Sequence, residues 1–308
     1  MEDGIRIGLV GLDTSHCLAF TRILLDKESE YYLPGAQIVG AYPGGSQWFA
    51  LSRERVKDFT NALETRYTIP MVTDIAELAD QVDALMLLSG DGRQHPEQFR
   101  KMAAGKPVFI DKPLAVSTLE AGAIFSLARK TGTPIFSCSS LRYAAGITGA
   151  ADLHGRLLSC EVYGPAQIFP DYPGLFWYGV HSVDMLFSFM GTGCRRVRCL
   201  SYPEMELIVG EWQDGRLGLV RGTRFERNEF GCLLHTSEGI FCHKALDTPP
   251  YYYLLMEKIL AFFRTGISPV SPEEAFEVIA FIDAAHQSAA ENGRAIETAA
   301  VEPSMLQS

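Results

Sequence analysis

The chain lacks the long hydrophobic runs and paired cysteines that mark several classes of protein. No apolar stretch approaches the roughly 18 residues that a membrane-spanning helix needs, and the N-terminus, Met1-Glu2-Asp3-Gly4, is acidic where a signal peptide is basic. The seven cysteines are odd in number, scattered and without a C-x-x-C pair, which favours core thiols in a reducing compartment over a disulfide framework. We therefore expect a cytoplasmic protein.

Positive charge is also scarce, because 27 Lys and Arg residues stand against 37 Asp and Glu residues, a formal net charge of −10. A field of that sign repels phosphate backbones and anionic lipid, so neither nucleic acid nor a membrane is an expected partner. Hydrophobic residues make up 47% and charged residues 21% of the 308 residues. This composition excludes disorder and predicts two globular domains or one large one.

The first 140 residues alternate short apolar β-rich runs with segments of helical periodicity, the pattern of a parallel sheet built from βαβ units. Strands are predicted at 5–12, 36–42, 84–88, 107–110 and 134–137. Beyond Ser140 the pattern predicts a strand at 156–169, a helix at 179–190, antiparallel strands through 195–243 and two closing helices, the second capped by Ser271. The predicted fold is α/β, with an N-terminal Rossmann-like parallel-sheet domain (1–140) and a C-terminal α/β domain (141–308) that has an open, mainly antiparallel sheet.

The first predicted strand opens directly into a helix, where a dinucleotide-binding fold carries its glycine fingerprint. The match that begins at Gly11-Leu12 is partial, because Asp13 and His16 stand at the second and third glycine positions. The Asp13 carboxylate would repel a pyrophosphate, whereas Thr14, Ser15 and free backbone N–H groups offer it donors. The alternative is a turn in which Asp13 or Thr14 caps its own helix and nothing binds.

The end of the second strand influences the choice between NAD and NADP in such a fold. The chain there is Tyr42-Pro43-Gly44-Gly45-Ser46, without the carboxylate that would hold the ribose hydroxyls of NAD. Ser46, with Arg53 and Arg55 in the next helix, could admit a 2′-phosphate and so favours NADP slightly. A plain Pro-Gly-Gly turn is the alternative.

Three separated motifs resemble the Gfo/Idh/MocA family, named for glucose-fructose oxidoreductase, inositol dehydrogenase and their relatives. The first lies in residues 84–115 and ends in Asp111-Lys112-Pro113, where the family usually has Glu-Lys-Pro. The second, Gly179-Val180-His181-Ser182-Val183-Asp184, is similar to the family's Gly-x-His-x-x-Asp helix, and the third is the segment 263–271 before the last helix.

This resemblance implies a two-domain oxidoreductase that moves hydride between NAD or NADP and a carbinol carbon of a sugar, cyclitol or related polyol. It implies Lys112 and His181 as the catalytic residues. An imidazole suits the base that accepts the hydroxyl proton, and an ammonium stabilises a developing alkoxide. The family has an aspartate four positions before the histidine; this chain has Trp177, whose indole can neither accept a proton nor carry negative charge.

Other residues are candidates for contacting the cofactor or the substrate. Asp184 lies one turn beyond His181 and could orient its ring, although a buried histidine satisfied by Asp184 is the plainer alternative. Arg142 falls where the two domains should meet, and a solvated arginine is equally compatible with its position. The candidate cofactor residues are Gly11, Leu12, Asp13, Thr14, Ser15, Ser46, Ser89 and Asp111. The candidate substrate residues are Arg142, Tyr143, Trp177, Tyr178 and Asp184.

No metal site is predicted, because the Cys and His residues at 232, 235, 242 and 243 would point to opposite faces of their strands. Residues 251–253, three consecutive tyrosines, are assigned to the core or to a subunit interface. The family's use of its second sheet for assembly, with apolar strands such as 217–220, favours a homodimer or larger homo-oligomer. Two other functions stay open: a non-catalytic ligand-binding or regulatory relative, and a lyase or glycosidase relative in which bound NAD cycles within one turnover.

Overall fold

The structure, a computed structural model, describes residues 4–150, 155–224 and 229–300. None of the helices in these ranges combines the length and apolar character needed to cross a membrane. The strands are β1 (Ile5–Val10), β2 (Ala36–Tyr42), β3 (Ala84–Leu87), β4 (Val108–Asp111), β5 (Ile135–Cys138), β6 (Leu157–Pro165), β7 (Cys194–Tyr202), β8 (Met205–Trp212), β9 (Leu217–Thr223), β10 (Gly231–Thr236), β11 (Gly239–Lys244) and β12 (Ile296–Glu297). The helices are α1 (Ser15–Leu25), α2 (Ala50–Tyr67), α3 (Ile75–Gln81), α4 (His95–Met102), α5 (Thr118–Thr131), α6 (Gly179–Met190), α7 (Tyr251–Thr265) and α8 (Pro272–Ala290).

Strands β1 to β5 form a parallel sheet in the order β2-β1-β3-β4-β5. Every residue of β3 and β4 is buried, as expected for parallel strands that are covered by helices on both faces. The predicted strands agree with the observed ones to within two residues, and β2 has its predicted bounds. The strand order reverses between β1 and β3, so their carboxyl ends border the crevice in which open α/β sheets bind ligands.

The remaining strands in the described ranges form a second sheet in the order β11-β10-β6-β9-β8-β7-β12. The predicted antiparallel arrangement is correct for most pairs, but β6 and β9 run parallel, from Ser159 opposite Leu217 to Pro165 opposite Thr223. Burial periodicity gives the faces of a strand and not its direction, so the sequence could not reveal this pair. Helices α6 and α8 cover one face, where the rings of Phe187, Trp212 and Phe281 pack together.

The two C-terminal helices pack against different sheets, α8 against the second and α7 against the first. Ser271 caps α8 as predicted, because its Oγ accepts the N–H of Glu274 at 3.1 Å. Helix α7 instead returns to the first sheet, where Met256 and Ile259 lie in one apolar cluster with Phe109. Residues from the C-terminal half thus complete the core of the first sheet, and the division of the chain at residue 140 stays a proposal. The return of α7 also brings its first turn to the carboxyl edge of the parallel sheet.

Candidate active site

The turn between β1 and α1 requires glycine at its first position. Gly11 has φ +88°, and a Cβ at this position would lie 2.3 Å from Oγ of Ser89, so only glycine fits. Thr14 is the N-cap residue of α1 but makes no side-chain cap bond within the described chain. Its hydroxyl donates to the Leu88 carbonyl at 3.4 Å instead. The interpretation in which Thr14 caps the helix is therefore wrong.

Asp13 is buried and bonded to two other segments. Its Oδ1 accepts the N–H of Gly90 at 2.8 Å, and its Oδ2 accepts the hydroxyl of Ser52 at 2.5 Å. Neither bond caps α1, so the capping interpretation is wrong for Asp13 as well. Burial raises the pKa of Asp13 although these two bonds oppose the shift. A phosphate bound in this turn would lie beside the Asp13 carboxyl, whose two oxygens already accept hydrogen bonds from the protein.

The polar groups of this turn fit a phosphate. The Ser89 hydroxyl is buried beside Gly11 and has no hydrogen-bond partner in the described residues. Ser15 opens α1, where N–H groups that lack a side-chain cap favour an anion. Leu12 is excluded as a donor, because its N–H already bonds to the Pro43 carbonyl at 2.8 Å.

Ser46 is not available to a 2′-phosphate in this structure. Its hydroxyl donates to Oδ2 of Asp91 at 2.5 Å, and its N–H donates to Oγ of Ser52 at 2.7 Å. Asp91 is fully buried and also pairs with Arg93. A carboxylate therefore lies beside Ser46, so Ser46 no longer supports a preference for NADP. That preference stays a prediction from Arg53 and Arg55.

Trp177 is part of an aromatic cluster over the carboxyl end of β3. The ring of Trp177 lies 4.9 Å from that of Phe49, 5.9 Å from that of Phe169 and 5.5 Å from that of Tyr172. The Tyr172 hydroxyl accepts the N–H of Gly92 and donates to the Gly90 carbonyl. A Cβ on Gly90 would lie 3.6 Å from the Trp177 indole. This cluster covers the loop after β3, within the crevice that a dinucleotide would enter.

Lys112 follows β4 and is buried, so it is not a surface lysine. Its Nζ lies 3.5 Å from the carbonyl oxygen of Trp177 and 5.2 Å from the centre of the indole ring. Burial lowers the pKa of Lys112, and the neighbouring Asp111 carboxylate opposes that shift. Trp177 thus contacts the predicted catalytic lysine through both its backbone and its ring.

His181 projects from α6, and its Nδ1 lies 2.7 Å from Oγ of Ser139. Burial lowers the pKa of His181 well below its usual value, and Lys112 and His16 lower it further. The ring is therefore neutral at neutral pH. When Nδ1–H donates to Ser139, the lone pair on Nε2 remains for a substrate hydroxyl.

Asp184 does not orient His181; it holds Arg142. Oδ2 of Asp184 lies 3.0 Å from Nε of Arg142 and also accepts the N–H of Ser139. Arg142 makes a second ion pair, 2.7 Å from Oε1 of Glu274. The solvated arginine considered from the sequence is therefore wrong, since Arg142 is buried among carboxylates. These bonds fix Ser139, the partner of His181, which the sequence had not singled out.

His181 and Tyr178 line a cavity of about 310 Å³. Its wall is completed by Ser140, Leu141, Phe230, Ala245, Asp247, Tyr251 and Tyr252. Hydroxyl groups and one carboxylate border this space, which suits a small ligand with several hydroxyls. Of the predicted substrate residues, only Tyr178 belongs to this described wall. Tyr143 lies elsewhere, beneath Nζ of Lys258.

Two residues of α7, Tyr251 and Tyr252, contribute to the cavity although the sequence assigned them to the core or an interface. Tyr252 also bonds to His16, which in turn bonds to Asp111. Asp111 is thus engaged with His16 rather than free for a cofactor. In the described parts of the chain, no three metal-ligating side chains are grouped closely enough to hold a metal ion.

Known proteins share this architecture. Residues 36–138 match the Gfo/Idh/MocA family model, described as an oxidoreductase family with an NAD-binding Rossmann fold. The matched residues run from the start of β2 to the end of β5. The family resemblance noted in the sequence is thereby confirmed. No curated protein matches the sequence significantly.

Solved structures extend the similarity beyond the matched residues. GenD2 from gentamicin A biosynthesis, solved with NAD, is 17% identical with a TM-score of 0.77 over 97% of this chain and 98% of its own. The myo-inositol dehydrogenase from Lactobacillus casei, solved with NAD(H) and myo-inositol, is 14% identical with a TM-score of 0.75 over 99% and 100%. Levoglucosan dehydrogenase, solved with NADH and levoglucosan, is 15% identical with a TM-score of 0.75 over 97% and 100%. These likenesses show the fold.

Proposed function

We propose that the protein is an NAD(P)-dependent oxidoreductase that transfers hydride between a nicotinamide and a carbinol carbon of a sugar- or cyclitol-like polyol. The observation that carries the proposal is the position of His181, a neutral imidazole that borders a hydroxyl-rich cavity and whose pKa the Lys112 ammonium helps to lower. Polyol dehydrogenases with this fold, among them the myo-inositol enzyme, support the substrate class.

The residues that would hold the dinucleotide phosphates are the hydroxyl of Ser89 and the N–H groups at the start of α1, in the turn made by Gly11. When bound, the nicotinamide supplies the hydride acceptor or donor. Asp91 beside Ser46 favours NAD over NADP, because a 2′-phosphate would meet a buried carboxylate. We expect weak binding, since the Trp177 cluster covers part of the crevice.

The chain's own residues bind and orient the reacting hydroxyl. Nε2 of His181 forms a hydrogen bond to it and is the base expected from the family pattern, while Ser139 fixes the ring through Nδ1. The Lys112 ammonium favours an alkoxide over a neutral hydroxyl. The other hydroxyls of a polyol would contact Ser140, Tyr178 and Asp247 on the cavity wall.

A non-catalytic ligand-binding relative is the second candidate, and the aromatic cluster favours it. Trp177 and Tyr172 fill space beside Gly90, and Trp177 replaces the acidic residue of the family pattern. A protein that kept the cavity but lost its cofactor would show this arrangement. It would bind a polyol without reducing NAD.

We also propose a homo-oligomer assembled through the outer face of the second sheet. That face exposes large apolar side chains on several strands, including Leu200, Tyr202, Leu217 and Ile240. Light scattering after size exclusion tests this, and a monomeric mass contradicts it. The cytoplasmic location stays a prediction.

The test of function is polyol-dependent reduction of NAD or NADP, followed by nicotinamide absorbance with a panel of cyclitols and aldoses. We expect the wild type to reduce NAD with at least one of them, and His181→Asn to lose about 100-fold or more in turnover with little change in cofactor affinity. Polyol binding without any reduction of either cofactor would support the second candidate instead.

A further inference from the structure

A buried series of three side chains leads from β4 to the cavity. Oδ2 of Asp111 lies 2.5 Å from Nδ1 of His16, and Nε2 of His16 lies 2.9 Å from the hydroxyl of Tyr252. Asp111 is 2% exposed and His16 is 8% exposed, whereas Tyr252 is part of the cavity wall. The three residues belong to β4, α1 and α7, which are distant in sequence. The roles assigned above to His181 and Lys112 leave all three unused.

The protons in this series follow from donor and acceptor chemistry. Burial by itself would raise the pKa of Asp111, but His16 and Lys112 outweigh it and the pKa is lowered, so Asp111 is a carboxylate. The Asp111 carboxylate can only accept, so Nδ1–H of His16 donates to it, and Nε2 of His16 faces the Tyr252 hydroxyl as the acceptor in this tautomer. Burial raises the pKa of Tyr252 well above its usual value, and the nearby Tyr251, Asp111, Tyr178 and Asp247 add to the effect. Tyr252 thus keeps its proton, and its oxygen can still accept a hydrogen bond from a ligand.

His181 is less suited to holding a proton than this series. Its burial and the neighbouring Lys112 ammonium oppose protonation, and its partner Ser139 is uncharged. A proton that arrives on His16, by contrast, lies against the Asp111 carboxylate. Such a carboxylate stabilises an imidazolium, because opposite charges in a buried site attract strongly.

We propose that Tyr252 is a catalytic residue that accepts the proton of the substrate hydroxyl and passes its own proton to His16, with Asp111 and His16 as positioning residues. The inference rests on the proposed function but gives the role of base to Tyr252 in place of His181, the base expected from the family pattern. His181 then orients the hydroxyl. In the oxidative direction the substrate O–H bond breaks and an O–H bond forms on Tyr252, while the former Tyr252 proton bonds to Nε2 of His16. The hydride leaves the same carbinol carbon for the nicotinamide, a carbonyl results, and reduction reverses each transfer.

Tyr252→Phe tests the proposal, because it removes the hydroxyl and keeps the ring. Tyr253→Phe is the matched control, since Tyr253 is the next residue of α7 and its ring packs against Tyr31. At saturating NAD and polyol, Tyr252→Phe should lower kcat about 100-fold or more, and Tyr253→Phe should change it less than about twofold. The Kd for NADH should be the same in both. A loss of less than about threefold in Tyr252→Phe overturns the proposal.

Two substitutions of His16 test its positioning role separately. His16→Gln keeps a polar atom toward Tyr252, whereas His16→Leu does not. We expect His16→Gln to retain clearly more kcat than His16→Leu and to alter the pH profile of kcat, with KM for the polyol unchanged. Equal losses in the two variants with an unaltered profile would indicate a purely structural histidine and contradict the relay.

A third experiment, by NMR, does not depend on turnover. In protein labelled with ¹⁵N-histidine, saturating myo-inositol or glucose should shift the ring resonances of His16 in the wild type and not in Tyr252→Phe. If that shift is seen but no NAD is reduced, the proposed function fails and the contact between Tyr252 and the ligand stands. If NAD is reduced equally well by Tyr252→Phe, the relay fails and the function stands. Unchanged His16 resonances in the wild type with both polyols overturn the relay.

Discussion

Replacement of Arg142 by methionine should destabilise the fold rather than weaken substrate binding. The Arg142 side chain is 8% exposed and lies between the Asp184 and Glu274 carboxylates, whose side chains are 5% and 18% exposed. Removing one partner of a buried ion pair leaves an uncompensated charge and costs about 3–5 kcal/mol in the free energy of unfolding. Arg142→Met leaves two such charges, so the loss should lie in the upper part of that range.

The control is Arg100→Met, because Arg100 pairs with Glu97 on the surface, with side chains 63% and 54% exposed. Exposed pairs contribute about 0–1 kcal/mol, so this variant should unfold almost like the wild type. Urea unfolding followed by circular dichroism measures both variants. The deficit of Arg142→Met should shrink between pH 7 and pH 5, because stranded buried carboxyls take up protons.

Two results would refute this reasoning. One is an Arg142→Met variant as stable as Arg100→Met but with a raised KM for the polyol, which would make Arg142 a substrate contact. The other is a stability deficit that does not change with pH. The variant Arg142→Met, Asp184→Leu, Glu274→Met should recover part of the stability, since it leaves no unpaired charge.

Three other predictions concern Asp13, Trp177 and two buried histidines. Asp13→Asn should tighten NADH binding by up to about tenfold, because it removes a charge and keeps the side-chain shape; calorimetry measures this, and weaker binding would show that the carboxyl assists the cofactor. Trp177→Asp should raise NAD-dependent polyol turnover relative to Trp177→Phe, because it places a proton acceptor beside Lys112, and equal turnover would contradict that reason. Stability should fall as the pH drops below about 6.5, because burial lowers the pKa of His181 and His286 and the unfolded chain then binds protons that the native state excludes. His286→Gln should show a shallower decline in urea unfolding, and an unchanged slope would count against the assignment.

The sequence predicted those parts of the fold that depend on local interactions and missed a pairing between strands that are distant in sequence. The apolar runs of the parallel sheet are local signals, and the strand bounds derived from them agree with the structure. The parallel pairing of β6 with β9 depends on chain direction between distant strands, which no local pattern carries. The capping role of Ser271 is local and was predicted correctly.

The candidate site was less predictable, because its partners are distant in sequence. Asp184 is one turn from His181 and was the obvious partner, yet His181 bonds to Ser139, which is 42 positions away. Asp184 instead forms an ion pair with Arg142, because a buried cation requires a counter-charge and a neutral imidazole does not. Tyr252 and His16 are 236 positions apart, and only the return of α7 to the first sheet brings them together.

Calorimetric titration of NADH into the wild type and into Asp13→Gly tests the central proposal most directly. Asp13→Gly removes both the carboxyl group and its bonds to Gly90 and Ser52, so it opens the phosphate turn fully. The account predicts saturable binding to both proteins, weak in the wild type and tighter in the variant. The absence of binding in both proteins up to millimolar NADH or NADPH would contradict an NAD(P)-dependent oxidoreductase.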